Sequence, residues 1–320
     1  ISRGKNTSKK NSIFTFKRNL KYQHMKVFDC FMYFDEEMIL DLRLNILDKF
    51  VDYFIIVESS FTHRGDKRSL KFNPKKFEKF RDKIIYLTYD DYPKNIEKIF
   101  EKDSEGEKSR KFIFNAAYRE NGQRNFITNG LDRANEEDMI LISDVDEIPN
   151  LEKIDLSKIK EKIILFKQEM FYYKFNLKLP NLIWNGTKAC KKKHLESPQW
   201  LRNIKDKKFS FFRIDTFFSK TKYINIKFIN DGGWHFTNMK TPNEIQHKLK
   251  SYLHHREFDT SPLSNEEIGR IMKNKKAIYN LKTDKRSAKF GEGDKLEKYP
   301  IEKLPRFLQN NINNYKEWID

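Results

Sequence analysis

An α/β fold, with a Rossmann-like, mostly parallel central sheet and flanking helices, is what the 320-residue sequence predicts, and three observations predict it. Residues 27–34 form a short apolar run suited to a buried strand. Residues 36–50 then carry Ile39, Leu40, Leu44 and Leu47 at helical spacing, and residues 53–57 are a second apolar run that ends in Glu58. A strand, helix, strand unit of about thirty residues is the building block of a parallel sheet. The third observation is MILISDVDEIP, residues 139–149: apolar residues run straight into two aspartates one residue apart, and Pro149 then stops regular structure. This is a buried strand ending in acid, at the edge where open α/β sheets bind ligands.

Taken in order, residues 1–24 are basic and polar without a period and read as a flexible arm. A single domain is expected over residues 25–320, because no internal repeat or low-complexity linker divides it. The loop 59–70 is polar and holds Thr62, His63, Arg64 and Gly65; Asn73 and Pro74 predict the cap and first turn of a helix to Phe80, followed by a strand at 83–88. Residues 91–108 read as a charged helix with a surface loop, and 112–134 as a long helix interrupted near Gly122. The acidic pair therefore caps about the fourth strand. Beyond it, 163–175 is long, apolar and aromatic, 178–194 is loop-rich, and 209–218 and 223–229 read as further strands. After the break at Asp231-Gly232-Gly233, Thr241, Pro242 and Glu244 predict a capping box and a helix to about Phe258. One more helix is expected over 265–275, and an apolar-spaced tail from Leu304.

Composition bounds the function. The net charge of +18 concerns association rather than fold, and makes nucleic acid, an anionic membrane surface or phosphorylated small molecules candidate partners. Most lysines are scattered among glutamates as on a solvated surface, with one block at Lys191, Lys192 and Lys193. Cys30 and Cys190 lie far apart, Cys30 within an apolar run, which favours reduced thiols. No run approaches the ~18 apolar residues of a membrane span and there is no secretory signal, so the expectation is a soluble cytoplasmic chain, with peripheral membrane contact as a further option.

Four features carry chemistry. Asp144 and Asp146 point the same way if the backbone stays extended, so both carboxylates suit one hard cation, Mn²⁺ or Mg²⁺, shared with phosphate oxygens. Arg124, in Gly122-Gln123-Arg124-Asn125, offers a planar fork to a diphosphate, or is simply an exposed helix arginine. In Asp231–His235 the glycines permit a tight turn, Trp234 offers a flat face to a sugar ring, and His235 suits a metal or a phosphate, although both side chains also suit a core. Glu58 ends the second strand on the same carboxyl edge as Asp144, or pairs with a surface lysine.

These residues, in order, resemble a nucleotide-sugar glycosyltransferase of the GT-A fold, and more closely glycosyltransferase family 17, which includes the enzyme that adds bisecting N-acetylglucosamine to N-glycans. The resemblance rests on FDCFMYFDEEMILDLRLNIL (28–47), YFIIVESSFTHRG (53–65), GQRNFITNGL (122–131), ILISDVDEIP (140–149), GGWHFT (232–237), HRE (255–257) and LPRFLQNN near the end. It implies metal-dependent, inverting transfer of a sugar, N-acetylglucosamine above all, from a UDP-sugar to a glycan or other hydroxyl acceptor. Asp144 and Asp146 would then hold the metal, with Asp146 the more direct ligand and Asp144 able to hold the ribose. Arg124 would contact the nucleotide, and Glu58 would shape its pocket. Inversion needs a general base, for which Asp231 is the first choice and Glu169 and Glu257 are the others.

Two rival readings compete with it. A haloacid-dehalogenase-like phosphatase also begins from a strand ending in DxD, but there the motif opens the domain, whereas here three strands precede it and Glu147 follows. A basic nucleic-acid-binding protein would explain the charge; it predicts steep salt dependence and indifference to Asp146. Nucleic acid is not the expected partner.

Overall fold

A single sheet organises the architecture. The computed structural model describes residues 24–210, 212–216, 218–280 and 290–320, and among these ten strands share one sheet. The basic arm expected over 1–24 lies, apart from His24, outside the described residues. The strands are β1 (Val27–Tyr33), β2 (Tyr53–Ser59), β3 (Ile84–Tyr89), β4 (Met139–Asp144), β5 (Glu147–Pro149), β6 (Ile163–Tyr172), β7 (Leu177–Lys191), β8 (Ile226–Ile229), β9 (Gly233–Thr237) and β10 (Glu297–Lys298). The helices that matter below are α1 (Glu37–Leu47), α2 (Glu105–Asn125), α3 (Pro198–Asn203), α4 (Pro242–Ser251), α5 (His255–Thr260) and α6 (Asn265–Lys273).

The path across the sheet is β3-β2-β1-β4-β7-β6-β9-β5, with β10 on β7 and β8 on β6. From β3 to β4 every pairing is parallel. β7 runs antiparallel to both β4 and β6, and β5 antiparallel to β9, so the sheet is mixed rather than mostly parallel in its second half. Chain order reverses at β1, which has β2 on one side and β4 on the other. A crevice at the carboxyl ends of the strands is the geometric result, and it is where such sheets take ligands.

Alternation along β4 divides the core. Met139 and Leu141 face one apolar cluster with Phe31, Leu44 and Phe166; Ile140 and Ile142 face a second with Ile55, Leu131 and Leu201. A third cluster joins Met170 and Tyr172 to Ile245, Phe258 and Ile271 of α4, α5 and α6. Helices thus cover both faces of the sheet, in agreement with the expected α/β architecture of the GT-A type.

Several local expectations need correcting. Residues 178–194 are not loop-rich: most of them belong to β7, at fifteen residues the longest of the described strands, and its irregular pairing with β6 absorbs Pro180, Asn181 and Gly186 through register shifts. Residues 209–218 are not a strand; their described part holds one short turn, Ile214–Thr216. α2 does not break at Gly122. A Cβ at that glycine would lie 2.2 Å from the Tyr89 hydroxyl oxygen, so the glycine leaves room for the Tyr89 side chain against the helix, which runs on to Asn125. The expected charged helix within 91–108 begins only at Glu105. The capping box at Thr241 and Glu244 is present, but the helix it starts ends at Ser251 and α5 takes over. Asn73 caps a 3-10 helix, Pro74–Phe80, as its sequence requires.

Candidate active site

Three parallel strands end at one cavity of about 390 Å³. Phe34 follows β1, Ser59 closes β2, and Asp144 closes β4; all three line it. Met170 and Tyr172 from β6 and His235 and Thr237 from β9 form a wall, and Lys248 of α4 faces them. After Asp144 the chain turns at Val145 and Asp146 rather than staying extended, yet both carboxylates line the cavity.

The acidic turn is held from behind by one buried arginine. Arg43 of α1 is fully buried and makes a bidentate pair with buried Asp29 of β1, Nη2 to Oδ1 at 2.6 Å and Nε to Oδ2 at 2.7 Å. Its Nη1 donates to the carbonyls of Asp144, Val145 and Glu147 at 3.1, 3.2 and 2.7 Å. One guanidinium therefore ties α1 and β1 to the backbone of the turn. The carboxylate of Glu147, also fully buried, accepts from the Asp144 backbone N–H at 2.8 Å, from Trp184 Nε1 at 2.7 Å and from Arg202.

The two aspartates have different surroundings. Asp144 accepts at Oδ1 from Arg124 Nη2 (3.1 Å) and at Oδ2 from Arg202 Nη2 (3.0 Å). Burial raises its pKa, but Arg202 and Arg124 outweigh burial and hold it well below the usual carboxylate range. Both of its oxygens are engaged by arginine, which leaves Asp146 as the more available ligand. Asp146 Oδ1 lies 3.5 Å from His235 Nε2, and Oδ2 lies 3.7 Å from Lys248 Nζ. Burial pushes the Asp146 pKa up, while His235 and Lys248 bring it down overall. For His235 the order is the same with the opposite sign: burial lowers it, and Asp146 raises it above the ordinary value.

Asp146 and His235 fit a hard divalent cation in part. His235 Nδ1 is buried with no hydrogen-bond partner, and Nε2 beside Asp146 completes an oxygen and nitrogen pair aimed into the cavity. Among the described residues no group of three or more His, Cys, Asp or Glu is arranged to hold a metal. The protein would supply two ligands and leave the remainder to phosphate oxygens and water, as small divalent ions on phosphorylated substrates accept.

The other expected site residues are distributed as follows. Glu58 is fully buried, and its carboxylate is spent on the backbone N–H groups of Lys71 and Phe72, the Tyr86 hydroxyl and Arg68. It pins the loop after β2 and holds Arg68, which does line the cavity, rather than touching a ligand itself. Arg124 is buried and holds Asp144, with Glu120 and Gln199 as its other partners. Trp234 points away from the cavity. Alternation along β9 turns Trp234 and Phe236 into the core cluster and His235 and Thr237 to the cavity; the aromatic beside His235 is instead Trp184, 5.2 Å away between ring centres.

Asp231 is exposed, at the amino end of β9, whereas the cavity lies toward the carboxyl end. Gly232 and Gly233 serve the sheet: a Cβ on Gly233, whose φ is +131°, would sit 2.1 Å from the Ile148 carbonyl oxygen. Glu169 shares Trp234's register position on the neighbouring strand and pairs with Lys178 at 2.7 Å. Glu257 contacts His254 at 3.2 Å between Oε1 and Nδ1, and His254 lines the cavity. The structure thus gathers Asp144, Asp146 and His235 at the cavity, keeps Arg124, Glu58 and Glu257 one residue behind it, and leaves Asp231, Glu169 and Trp234 outside.

Arg43, Arg202 and Lys248 carry no distinguishing sequence signal, being three among 64 Lys and Arg. α3 begins where Ser197 caps it and Pro198 takes its first turn, which presents Arg202 at its other end. Lys188 then donates to the Arg202 and Ile204 carbonyls there, where a cation satisfies the orphan acceptors.

An acidic turn at the carboxyl edge of an α/β sheet, beside an open cleft with cationic and aromatic walls, is the arrangement expected of a glycosyltransferase. The chain belongs to glycosyltransferase family 17, whose family model matches residues 3–319. Three β-1,4-mannosyl-glycoprotein 4-β-N-acetylglucosaminyltransferases, from Homo sapiens, Rattus norvegicus and Mus musculus, are each 25% identical to it over 232 residues, 67% of this chain and 40% of theirs. The chain thus spans about two-fifths of the length of the curated relatives it matches. Membership sets the phosphatase reading aside. Among the described residues no helix is long and apolar enough to cross a membrane.

Proposed function

We propose that this glycosyltransferase moves N-acetylglucosamine from a UDP-sugar to a hydroxyl of a glycan acceptor, with inversion and with help from Mn²⁺ or Mg²⁺. The observation that carries the reading is the asymmetric acid pair: Asp144 held by Arg124 and Arg202, one on each oxygen, and Asp146 facing the cavity between His235 and Lys248. The names of the relatives support N-acetylglucosamine as the sugar and a mannosyl glycan as the acceptor class.

In this reading Asp146 and His235 hold the cation, which when bound would neutralise the diphosphate leaving group as negative charge develops. Lys248 and Arg68 add cationic character to the cavity wall. Asp144, fixed and ionised, accepts hydrogen bonds from the ribose. His254 takes the acceptor's hydroxyl proton, with Glu257 fixing the imidazole through Nδ1. Tyr172, Trp184 and Tyr252 supply flat apolar surface for sugar rings.

Release of UDP from a panel of UDP-sugars, with and without Mn²⁺ and a mannosyl acceptor, tests this. Asp146→Ala should abolish cation-dependent turnover, and His254→Ala should retain donor binding while losing transfer by about 10²-fold or more. Turnover that survives Asp146→Ala unchanged would refute the assignment.

A further inference from the structure

The segment joining α3 to β8 is closed at its base, where the Lys205 N–H donates to the Thr221 carbonyl at 2.9 Å and Trp200 Nε1 to the Lys220 carbonyl at 2.7 Å. Phe209 is buried within it, under Arg213 at 5.4 Å. Beyond Phe209 the polarity inverts. Phe212, Ile214 and Phe218 are 91%, 74% and 86% exposed, while the other exposed large apolar side chains among the described residues reach at most 55%. Scattered half-exposed apolar residues are ordinary, but three this exposed within seven positions are not.

The surroundings of these tips are basic. Between residues 205 and 222 six lysines and arginines stand against two aspartates, a net of +4, and Lys207, Lys208 and Lys220 are exposed. We propose that this loop docks the protein on an anionic lipid bilayer, with Phe212, Ile214 and Phe218 entering the interface and the flanking lysines resting on the headgroups. The two demands are layered: the lysines require an anionic surface, and the apolar tips require an apolar phase directly beneath it. An anionic bilayer supplies both in that order. A nucleic acid satisfies the lysines but gives Ile214 nothing to stack on or bond to. The proposal is independent of the sugar-transfer reading, since none of these side chains lines the cavity.

Sedimentation of the full chain with sucrose-loaded vesicles tests it, comparing pure phosphatidylcholine with vesicles in which about a third of the lipid is phosphatidylserine. Binding is expected only to the anionic vesicles, falling with salt. Phe212→Ser with Phe218→Ser leaves the charge intact and should weaken binding about tenfold or more. Lys207→Gln and Lys208→Gln should each weaken it about fivefold. A Phe218→Trp variant gives a second readout that keeps the loop apolar: its emission should shift to the blue on anionic vesicles. Absence of binding, binding that ignores the Phe replacements, an emission from the Phe218→Trp variant that does not shift, or concentration-dependent self-association abolished by the Phe replacements would each overturn the proposal, the last by assigning the patch to a second copy of the chain.

Discussion

Removing the Arg43 guanidinium should damage stability and activity together, and the two effects are separable. Arg43→Met keeps most of the side chain's length and apolar stem but deletes five donated hydrogen bonds, two to Asp29 and three to the carbonyls of the acidic turn. Asp29 is then left charged and fully buried. Breaking a buried pair from one side costs about 3–5 kcal/mol, mostly because of the abandoned charge. At ~2.1 cal/mol/K per residue, a domain of roughly 300 residues has an unfolding entropy near 0.6 kcal/mol/K, so the expected fall in Tm is about 5–8 °C. Urea and thermal unfolding followed by circular dichroism measure it. The double variant Asp29→Leu/Arg43→Met removes the stranded charge and should recover more than half of the lost stability, since apolar replacements of buried pairs are often neutral. It should not recover turnover, because the carbonyls of Asp144, Val145 and Glu147 still lack their donor and the turn loses its fixed geometry. A loss below about 1 kcal/mol for Arg43→Met, or a double variant with full activity, would refute the view that this arginine positions the turn.

Other outcomes follow from the same geometry. Asp231→Asn should leave turnover within about twofold of the wild type, because surface substitutions away from special features have small effects; a large loss of transfer with donor binding intact would restore Asp231 as the base. Trp234→Ala should cost about 3–5 kcal/mol of stability through the cavity it leaves in the core, measured by urea unfolding, and a raised KM without destabilisation would contradict its core position. Gly233→Ala should destabilise by more than ~2 kcal/mol, from strain at φ +131° and the collision with the Ile148 carbonyl; a variant of wild-type stability would mean that β5 and β9 pair differently. His255 is fully buried and donates through Nδ1 to the Tyr252 carbonyl, and burial lowers its pKa from 6.5. The unfolded chain therefore binds its proton first, and stability falls as pH drops below 6.5 toward the lowered folded value, by up to ~1.4 kcal/mol per pH unit. Urea midpoints at pH 7.5 and 5.5 should show a shallower fall in His255→Gln than in the wild type; equal slopes would exclude His255 as the source.

The parts of this molecule that follow a short local rule are legible in its sequence. β1, α1 and β2 obey the periods of strand and helix, and β4 ends in acid where the alternation predicts. Asn73, Thr241 and Glu244 cap their helices because capping depends only on residues within a turn. What escapes a sequence reading depends on pairing across long separations. β7 contains Pro180 and Gly186, which read as breakers until β4 and β6 lie on either side of it. The cluster GGWH reads as a ligand loop, whereas its glycines are demanded by a close strand and its tryptophan by the core; only His235, one step out of phase, faces the cavity. Glu58 and Arg124 belong to the site at one remove, as supports for Arg68 and Asp144, a distinction invisible without distances. Arg43, Arg202 and Lys248 are lost among many similar cations, since their importance comes from desolvation and not from residue type.

Isothermal titration of the wild type and of Asp146→Asn with UDP-N-acetylglucosamine, in Mn²⁺ and in its absence, bears most directly on the site. Saturable binding that requires Mn²⁺ and falls at least ~10²-fold in Asp146→Asn is expected, with the variant's Tm close to the wild type's, because Asp146 faces the cavity and supports no backbone group with its side chain. Equal affinity in both proteins, or no binding of this or any other UDP-sugar at millimolar concentration with the metal present, would contradict it.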